Sequence, residues 1–333
     1  MSNTLITCEI DFDAQGKQSG YLRVPHSTHR SGYGWLPVPI TVLSNGEGPT
    51  LVLSAGVHGD EYEGQIAVAS LARDLEADAI RGRLILLPMV NAPAAEAGLR
   101  VSPIDDGNLN RLYPGNPRGT PSEMIAHFHE AEILSRADYA VDLHSGGSSM
   151  IYPPTLLRGP AHSPEEARGL DLLTQAFDLP YAWVFTGGGG RSSTARTAMG
   201  AANRNGVINV MAELGGGGCV QVDVLKRCAR GLLRIMHALG MLPDYAPDPA
   251  EGTRMLNAKG LVPAYEAGVF EPLKTIGSEV SVGEPVARIH HPETPGRPFD
   301  TVQSQLAGVV LSMRSRAELR RGDALFQIAE DVI

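Results

Sequence analysis

Between residues 50 and 240 short apolar runs alternate with amphipathic stretches, and this alternation constrains the fold more than any other feature. The runs "TLVLSAGV", "GRLILLPMVN", "YAVDLHSG", "YAWVFTG" and "GVINVMAELGG" read as strands. The stretches "EGQIAVASLARDLE", "EMIAHFHEAEILSRA", "EEARGLDLLTQAF" and "VDVLKRCARGLLRIMHALG" read as helices. Strands apolar on both faces must be covered on both faces. The expected class is therefore α/β: a mixed, mostly parallel sheet with helices on both sides. Residues 4–46 read as strands and turns leading into it, with "NGEG" as a hairpin turn before "PTLVLSAG". At "MLPDYAPDPAEGT", residues 241–253, the pattern breaks into proline, aspartate and glycine, the composition of a linker. Beyond it come short strands and glycine turns, with "GEPVARI" and "GDALFQI" as a pseudo-repeat. The expected division is a catalytic α/β domain over 1–245, with an N-terminal β segment, and a small all-β domain over 250–333.

Charge and cysteine content exclude several function classes. The 333 residues carry a net charge of −9, so a nucleic-acid binder, which presents a basic face, is not expected. The three cysteines, Cys8, Cys219 and Cys228, form no CxxC pair. A disulfide framework or thiolate metal site is therefore not expected. Cys219 reads as a plain buried thiol near an active strand. The N-terminus has no basic segment followed by an apolar core, and no apolar run has membrane-spanning length. A reducing cytoplasm, a small-molecule substrate and no membrane partner are the expectations, with a homodimer as the assembly to test.

Three strand ends carry groups suited to chemistry. In "GVHGDEYEG", residues 56–64, His58 and Glu61 stand three apart at a strand-to-helix turn and can converge on one ion. The competing reading is a polar turn in which Asp60 or a neighbour caps the next helix. In "YAVDLHSGG", His144 ends a strand, and Asp142 shares its face and can take the other ring N–H of a ligand histidine. In "NVMAELGGGG", Glu213 ends a strand before four glycines, as a general base beside activated water or as a helix-capping acid. Ligands bind at the carboxyl rim of open α/β sheets. Two histidines and a glutamate are the zinc ligands of carboxypeptidase A. One zinc ion per chain, held by His58, Glu61 and His144, is the expected cofactor. In the polar loop 99–115, Asn110 and Arg111 can clamp a carboxylate, and Arg100 can polarise a scissile carbonyl. "TGGGGRSSTARTAMG", residues 186–200, lacks the ending of a phosphate loop and reads as a pocket border, with Arg191 and Arg196 as substrate contacts. The remaining histidines show no converging partners.

In this order "GVHGDEYEG", "NLNRLYPG", "DLHSGG" and "AELGGGG" resemble the succinylglutamate desuccinylase/aspartoacylase family, of zinc carboxypeptidase-like fold. The resemblance covers nearly the whole chain. It implies His58, Glu61 and His144 as zinc ligands, Glu213 as catalytic base, and Asn110 with Arg111 on the substrate carboxylate. It makes Arg100 the available carbonyl-polarising arginine. Within the family, "PHSTHRSGYGWLPVPI" and "TGGGGRSSTAR" are most similar to the deacetylases of N-acetyl-L-2,4-diaminobutyrate in ectoine degradation. That resemblance implies release of acetate from this substrate. The alternatives are another N-acyl amino acid hydrolase, a carboxypeptidase, or a non-catalytic metabolite binder. The C-terminal unit resembles the barrel-sandwich of lipoyl and biotinyl carriers. Its hairpin reads "LSMRSRAEL", without the modified lysine, so no prosthetic group is expected there.

Overall fold

The computed structural model describes residues 4–185 and 194–332. The chain opens with β1 (Thr7–Cys8), β2 (Gly16–Pro25), β3 (Trp35–Asn45) and β4 (Thr50–Ala55), then α1 (Tyr62–Asp74) and β5 (Gly82–Leu87). A short α2 (Ala92–Ala97) and the long polar loop precede α3 (Pro121–Phe128), which continues through a wider turn at His129–Ile133. There follow β6 (Tyr139–His144), β7 (Met150–Ile151), β8 (Thr155–Arg158), α4 (Pro164–Phe177), β9 (Tyr181–Val184), α5 (Ala198–Arg204), β10 (Ile208–Glu213) and α6 (Val222–Ala238).

Strands β5, β4, β6 and β10 are parallel neighbours in that order. Both faces of this block are buried. On β4, Leu51, Leu53 and Ala55 pack under α1, α4 and α6, whereas Val52 faces the layer of α3 and α5. The α/β expectation, with helices on both sides, therefore holds. Two glycine positions show how closely the layers meet. A Cβ at Gly64 of α1 would lie 2.5 Å from the Leu143 Cβ of β6. A Cβ at Gly59 would lie 1.9 Å from the Ala94 carbonyl oxygen.

The expected "NGEG" hairpin does not form. β3 pairs antiparallel with β5, and β5 lies between β3 and β4. The turn is an arch over the start of β5: a Cβ at Gly48 would come 2.8 Å from the Gly82 backbone nitrogen. Turn chemistry at 45–48 fixes a reversal of direction, and a longer-range strand fills the space between its arms.

The 241–253 segment carries no regular structure up to Gly252 and is pinned to the α/β layers. Asp178, left-handed at the end of α4 with φ 56°, accepts the backbone N–H groups of Glu251 and Gly252. Strand β11 (Arg254–Pro263) then pairs in parallel with β9. After it come β12 (Gly268–Pro272), β13 (Glu279–Val280), β14 (Pro285–His290), β15 (Asp300–Gln303), β16 (Gly308–Arg314), β17 (Glu318–Leu319) and β18 (Ala324–Asp331). Among the described residues the large sheet runs unbroken from β1 into β11, β18, β16 and β13. A four-stranded sheet, β15-β14-β12-β17, packs over its C-terminal end. The pseudo-repeat strands lie in opposite sheets: Val286 and Ile289 of β14 share a core with Phe326 and Ile328 of β18.

Candidate metal centre

The chain order of the central strands creates the site. From β4 the chain crosses to β5 on one side, then returns to β6 on the other. Strands β4 and β6 thus flank a switch point, where the connections diverge and leave a crevice at the carboxyl edge. His58 lies three residues beyond the end of β4, and His144 is the last residue of β6. Glu213 ends β10 directly beside His144 in the ladder.

Glu61 is the residue before α1 and the point where the two histidines meet. Its Oε1 lies 2.8 Å from His58 Nδ1 and its Oε2 2.8 Å from His144 Nδ1. Ser145 donates its backbone N–H to Oε2 at 3.1 Å, and Arg100 Nη1 donates to Oε1 at 3.4 Å. The ligand atoms of His58, Glu61 and His144 all lie within 4.8 Å of one another, and all three residues are buried. The reading of this turn as a helix cap fails. The N-cap position is Glu61, whose side chain makes no cap hydrogen bond, and Asp60 accepts the Ser148 N–H instead. Glu213 caps no helix either, because α6 begins nine residues later, at Val222, with Gln221 at its N-cap.

The donor set fits a cation. His144 Nε2 lies 2.9 Å from Asp142 Oδ2, and Ser54 donates to the other oxygen of Asp142 at 2.8 Å. His144 therefore faces a carboxylate at each ring nitrogen, while a neutral imidazole has one N–H. Either the buried ring is imidazolium, or a cation sits between Nδ1 and Glu61. The electrostatics express the same demand. Burial opposes charge on His144, yet Asp142 and Glu61 hold its pKa well above the usual value. Burial also opposes charge on Glu61, yet the two imidazoles hold its carboxyl well below the usual range. At His58 burial wins over Glu61 and the pKa falls. With Nε2–H committed to Asp142, the lone pair of Nδ1 is directed at the ligand position, the arrangement in which a second carboxylate orients a ligand histidine.

Glu213 is shifted in the direction opposite to Glu61. Burial and the Glu61 charge push its pKa up to about 8. Its Oε2 is buried without a hydrogen-bond partner. A carboxyl near neutrality at the wall of a cleft is suited to proton transfer.

Around these groups lies a cavity of about 400 Å³. His58, Glu61, His144, Glu213, Arg100, Asn110 and Arg111 all line it. Asn110 is buried: its Oδ1 accepts the Ala198 N–H at 2.9 Å, and its Nδ2 lies 3.5 Å from His144 Nε2. Arg111 is half-buried, donates to the Asn110 carbonyl at 2.6 Å, and has no acidic partner among the described residues. Arg196 is exposed, and its Nε donates at 2.7 Å to the Arg111 carbonyl, outside the cavity lining. Arg191 falls outside the described residues. Cys219, expected to be buried, is exposed, because the turn after β10 carries it out of the sheet. Histidines read as lacking converging partners have them: His129 meets the Tyr113 hydroxyl at 2.7 Å, His290 meets Glu271, and His291 meets Asp300.

Sequence reasoning missed Asn108, Tyr152 and Trp183. Asn108 Oδ1 lies 3.2 Å from His58 Nε2. Tyr152 and Trp183 line the cavity, Tyr152 from just beyond β7 and Trp183 from β9. Among these, the legible signal was "DDGNLN", where a polar residue two before Asn110 could have been weighed as a histidine partner.

A profile of the succinylglutamate desuccinylase/aspartoacylase catalytic domain matches residues 47–239. The chain belongs to this family. It is 34% identical over 330 residues to the N-alpha-acetyl-L-2,4-diaminobutyric acid deacetylase of Halomonas elongata, covering 98% of this chain and 95% of that one. Among solved structures, the succinylglutamate desuccinylase/aspartoacylase of Rhodobacter sphaeroides superposes with TM-score 0.91 at 38% identity, over 98% of this chain and 99% of that one. The product-bound ectoine utilization protein EutE (DoeB) of Ruegeria pomeroyi gives TM-score 0.93 at 32% identity, over 99% and 100% of the two chains. The fold class and family expected from sequence are thus shown, and the chain is an enzyme of the amide-hydrolase type. No helix among the described residues is long and apolar enough to cross a membrane.

Proposed function

We propose that the protein is a zinc-dependent amidohydrolase that cleaves N-alpha-acetyl-L-2,4-diaminobutyrate to acetate and L-2,4-diaminobutyrate. One observation carries the chemistry: His58, Glu61 and His144 converge at the carboxyl ends of neighbouring parallel strands, with Glu213 beside them in the ladder. Similarity over 98% of the chain to the Halomonas elongata deacetylase supports the substrate.

His58 Nδ1, His144 Nδ1 and a Glu61 oxygen would hold the ion. A zinc ion there supplies Lewis acidity, lowering the pKa of water toward about 7 and polarising an amide carbonyl. Asp142 fixes the His144 ring in the tautomer that leaves Nδ1 free. Glu213 takes a proton from the attacking water and delivers it to the departing amine nitrogen. Arg111, a desolvated guanidinium without an acidic partner, receives the α-carboxylate and so positions the amide for attack. Arg100 supplies positive charge beside Glu61 where the carbonyl oxygen becomes negative. Asn110, held by the Ala198 N–H, braces the loop that carries Arg111.

The deciding experiment compares Glu213→Gln with Glu61→Ala. Glu213→Gln should retain near-stoichiometric zinc and lose turnover by at least about 10²–10⁴-fold. Glu61→Ala should lose zinc as well. Zinc by elemental analysis and acetate release on one sample read both outcomes. Normal turnover in zinc-loaded Glu213→Gln would refute the proton-transfer role.

A further inference from the structure

The cavity has two chemically different walls, and together they set which side chain the substrate can carry. Arg100, Asn110 and Arg111 reach it from the polar loop. The other wall rises from the sheet. Met211 of β10, Leu157 of β8 and Trp183 of β9 are consecutive partners in one row of the ladder, so their side chains share a face. The same row passes through Asp142, the partner of His144, and from there leads away from the metal centre. Phe185 extends it, with its ring 5.2 Å from the Trp183 ring and nearly perpendicular to it. All four line the cavity. Behind them Met199, Val309 and Leu311 complete an apolar cluster, and the Trp183 Nε1 is buried without a hydrogen-bond partner.

A count of charges sharpens the point. Among the described residues lining the cavity, the guanidinium cations are those of Arg100 and Arg111. Arg100 is paired with Glu61, whereas Arg111 has no acidic partner among the described residues. Among the described residues the lining thus offers one unpaired guanidinium to a substrate carboxylate. A second that reached the sheet wall would lie against methionine, leucine and aromatic side chains. Aromatic faces carry negative quadrupole density, which repels an anion and attracts an ammonium. Burying a carboxylate there without a partner is strongly unfavourable.

We infer that Met211, Leu157, Trp183 and Phe185 form a selectivity wall that admits a neutral or cationic amino-acid side chain and rejects a second carboxylate. The inference rests on the proposed function in taking Arg111 as the seat of the α-carboxylate. It makes the substrate class N-acyl amino acids with a single carboxylate.

The test uses the zinc-loaded protein and three substrates that carry two side-chain methylenes before the terminal group: the N-acetyl derivatives of L-2,4-diaminobutyrate, L-norvaline and L-glutamate. Their side chains end in ammonium, methyl and carboxylate. The glutamate derivative should show kcat/KM at least about 100-fold below the other two. Phe185→Arg, which places a cation on the wall, should raise the glutamate-to-norvaline ratio at least about tenfold. Glutamate within threefold of norvaline in the wild type, or an unchanged ratio in folded, zinc-loaded Phe185→Arg, would overturn the wall. Absence of acetate release from all three would instead count against the proposed function. In that case calorimetric binding of the free amino acids to the zinc-loaded protein reads the same order, with glutamate weakest if the wall acts and equal to norvaline if it does not.

Discussion

At the scale of single residues, the centre is defined by which nitrogen of each ring is committed elsewhere. His144 has Nε2 on Asp142 and Nδ1 toward Glu61, and Ser54 holds Asp142 in turn. Removing Asp142 leaves His144 free to rotate or change tautomer and leaves the Ser54 hydroxyl without its partner. Asp142→Ala should therefore weaken zinc binding about 10- to 100-fold without touching a ligand. Competition against a chromogenic chelator measures this directly. Unchanged affinity would mean that packing alone orients His144. His58 and His144 were legible as candidate ligands because each stands in a short motif beside a turn. Asn108 was not, since its contact with His58 spans 50 residues of chain.

At the scale of elements, the distance between α1 and β6 sets the centre's geometry. Glu61 sits at the start of α1 and His144 at the end of β6, and Gly64 is where that helix lies closest to the strand. A methyl at Gly64 would come 2.5 Å from the Leu143 Cβ, so the helix must shift to accept it. Gly64→Ala should cost about 1–3 kcal/mol of stability through overpacking. It should also weaken zinc binding, because the shift carries Glu61 away from His144. Denaturant melts and zinc titration on the same variant test both. Loss of stability with zinc affinity intact would show that the turn 56–61 positions Glu61 independently of α1. The same scale explains the failed hairpin: the residues 45–48 describe a reversal, but nothing local states that β5 occupies the gap.

At the scale of the whole molecule, the C-terminal strands hold a residue of the cavity lining in place. Tyr152 lines it, and its hydroxyl donates at 3.2 Å to Gln327 Oε1 of β18, which also accepts from Ser312 of β16 at 3.4 Å. Gln327 lies outside the cavity lining, yet it holds the phenol that lines the cavity. Gln327→Leu and Tyr152→Phe should each raise KM by about three- to tenfold, the worth of one hydrogen bond, with zinc content unchanged. Because both variants break one link, the double variant should be no worse than either single one. Additive effects would show that the two residues act separately.

The sequence by itself determined the layers and the candidates. Apolar periodicity dictates where strands and helices form, because burial of both strand faces leaves one architecture. Strand ends in an α/β chain place His58, His144 and Glu213 on one rim before any distance is known. The tertiary structure decided what needed a third dimension: that β5 separates β3 from β4, that Asn108 faces His58, and that Arg111 lines the cavity whereas Arg196 braces it from outside. It also decided that Met211, Leu157 and Trp183 share one row. The physical reason is common to all of these. Periodicity and turn chemistry are local properties of a chain, whereas register, side-chain pairing and the walls of a cavity arise between segments whose separation in sequence carries no record of their contact.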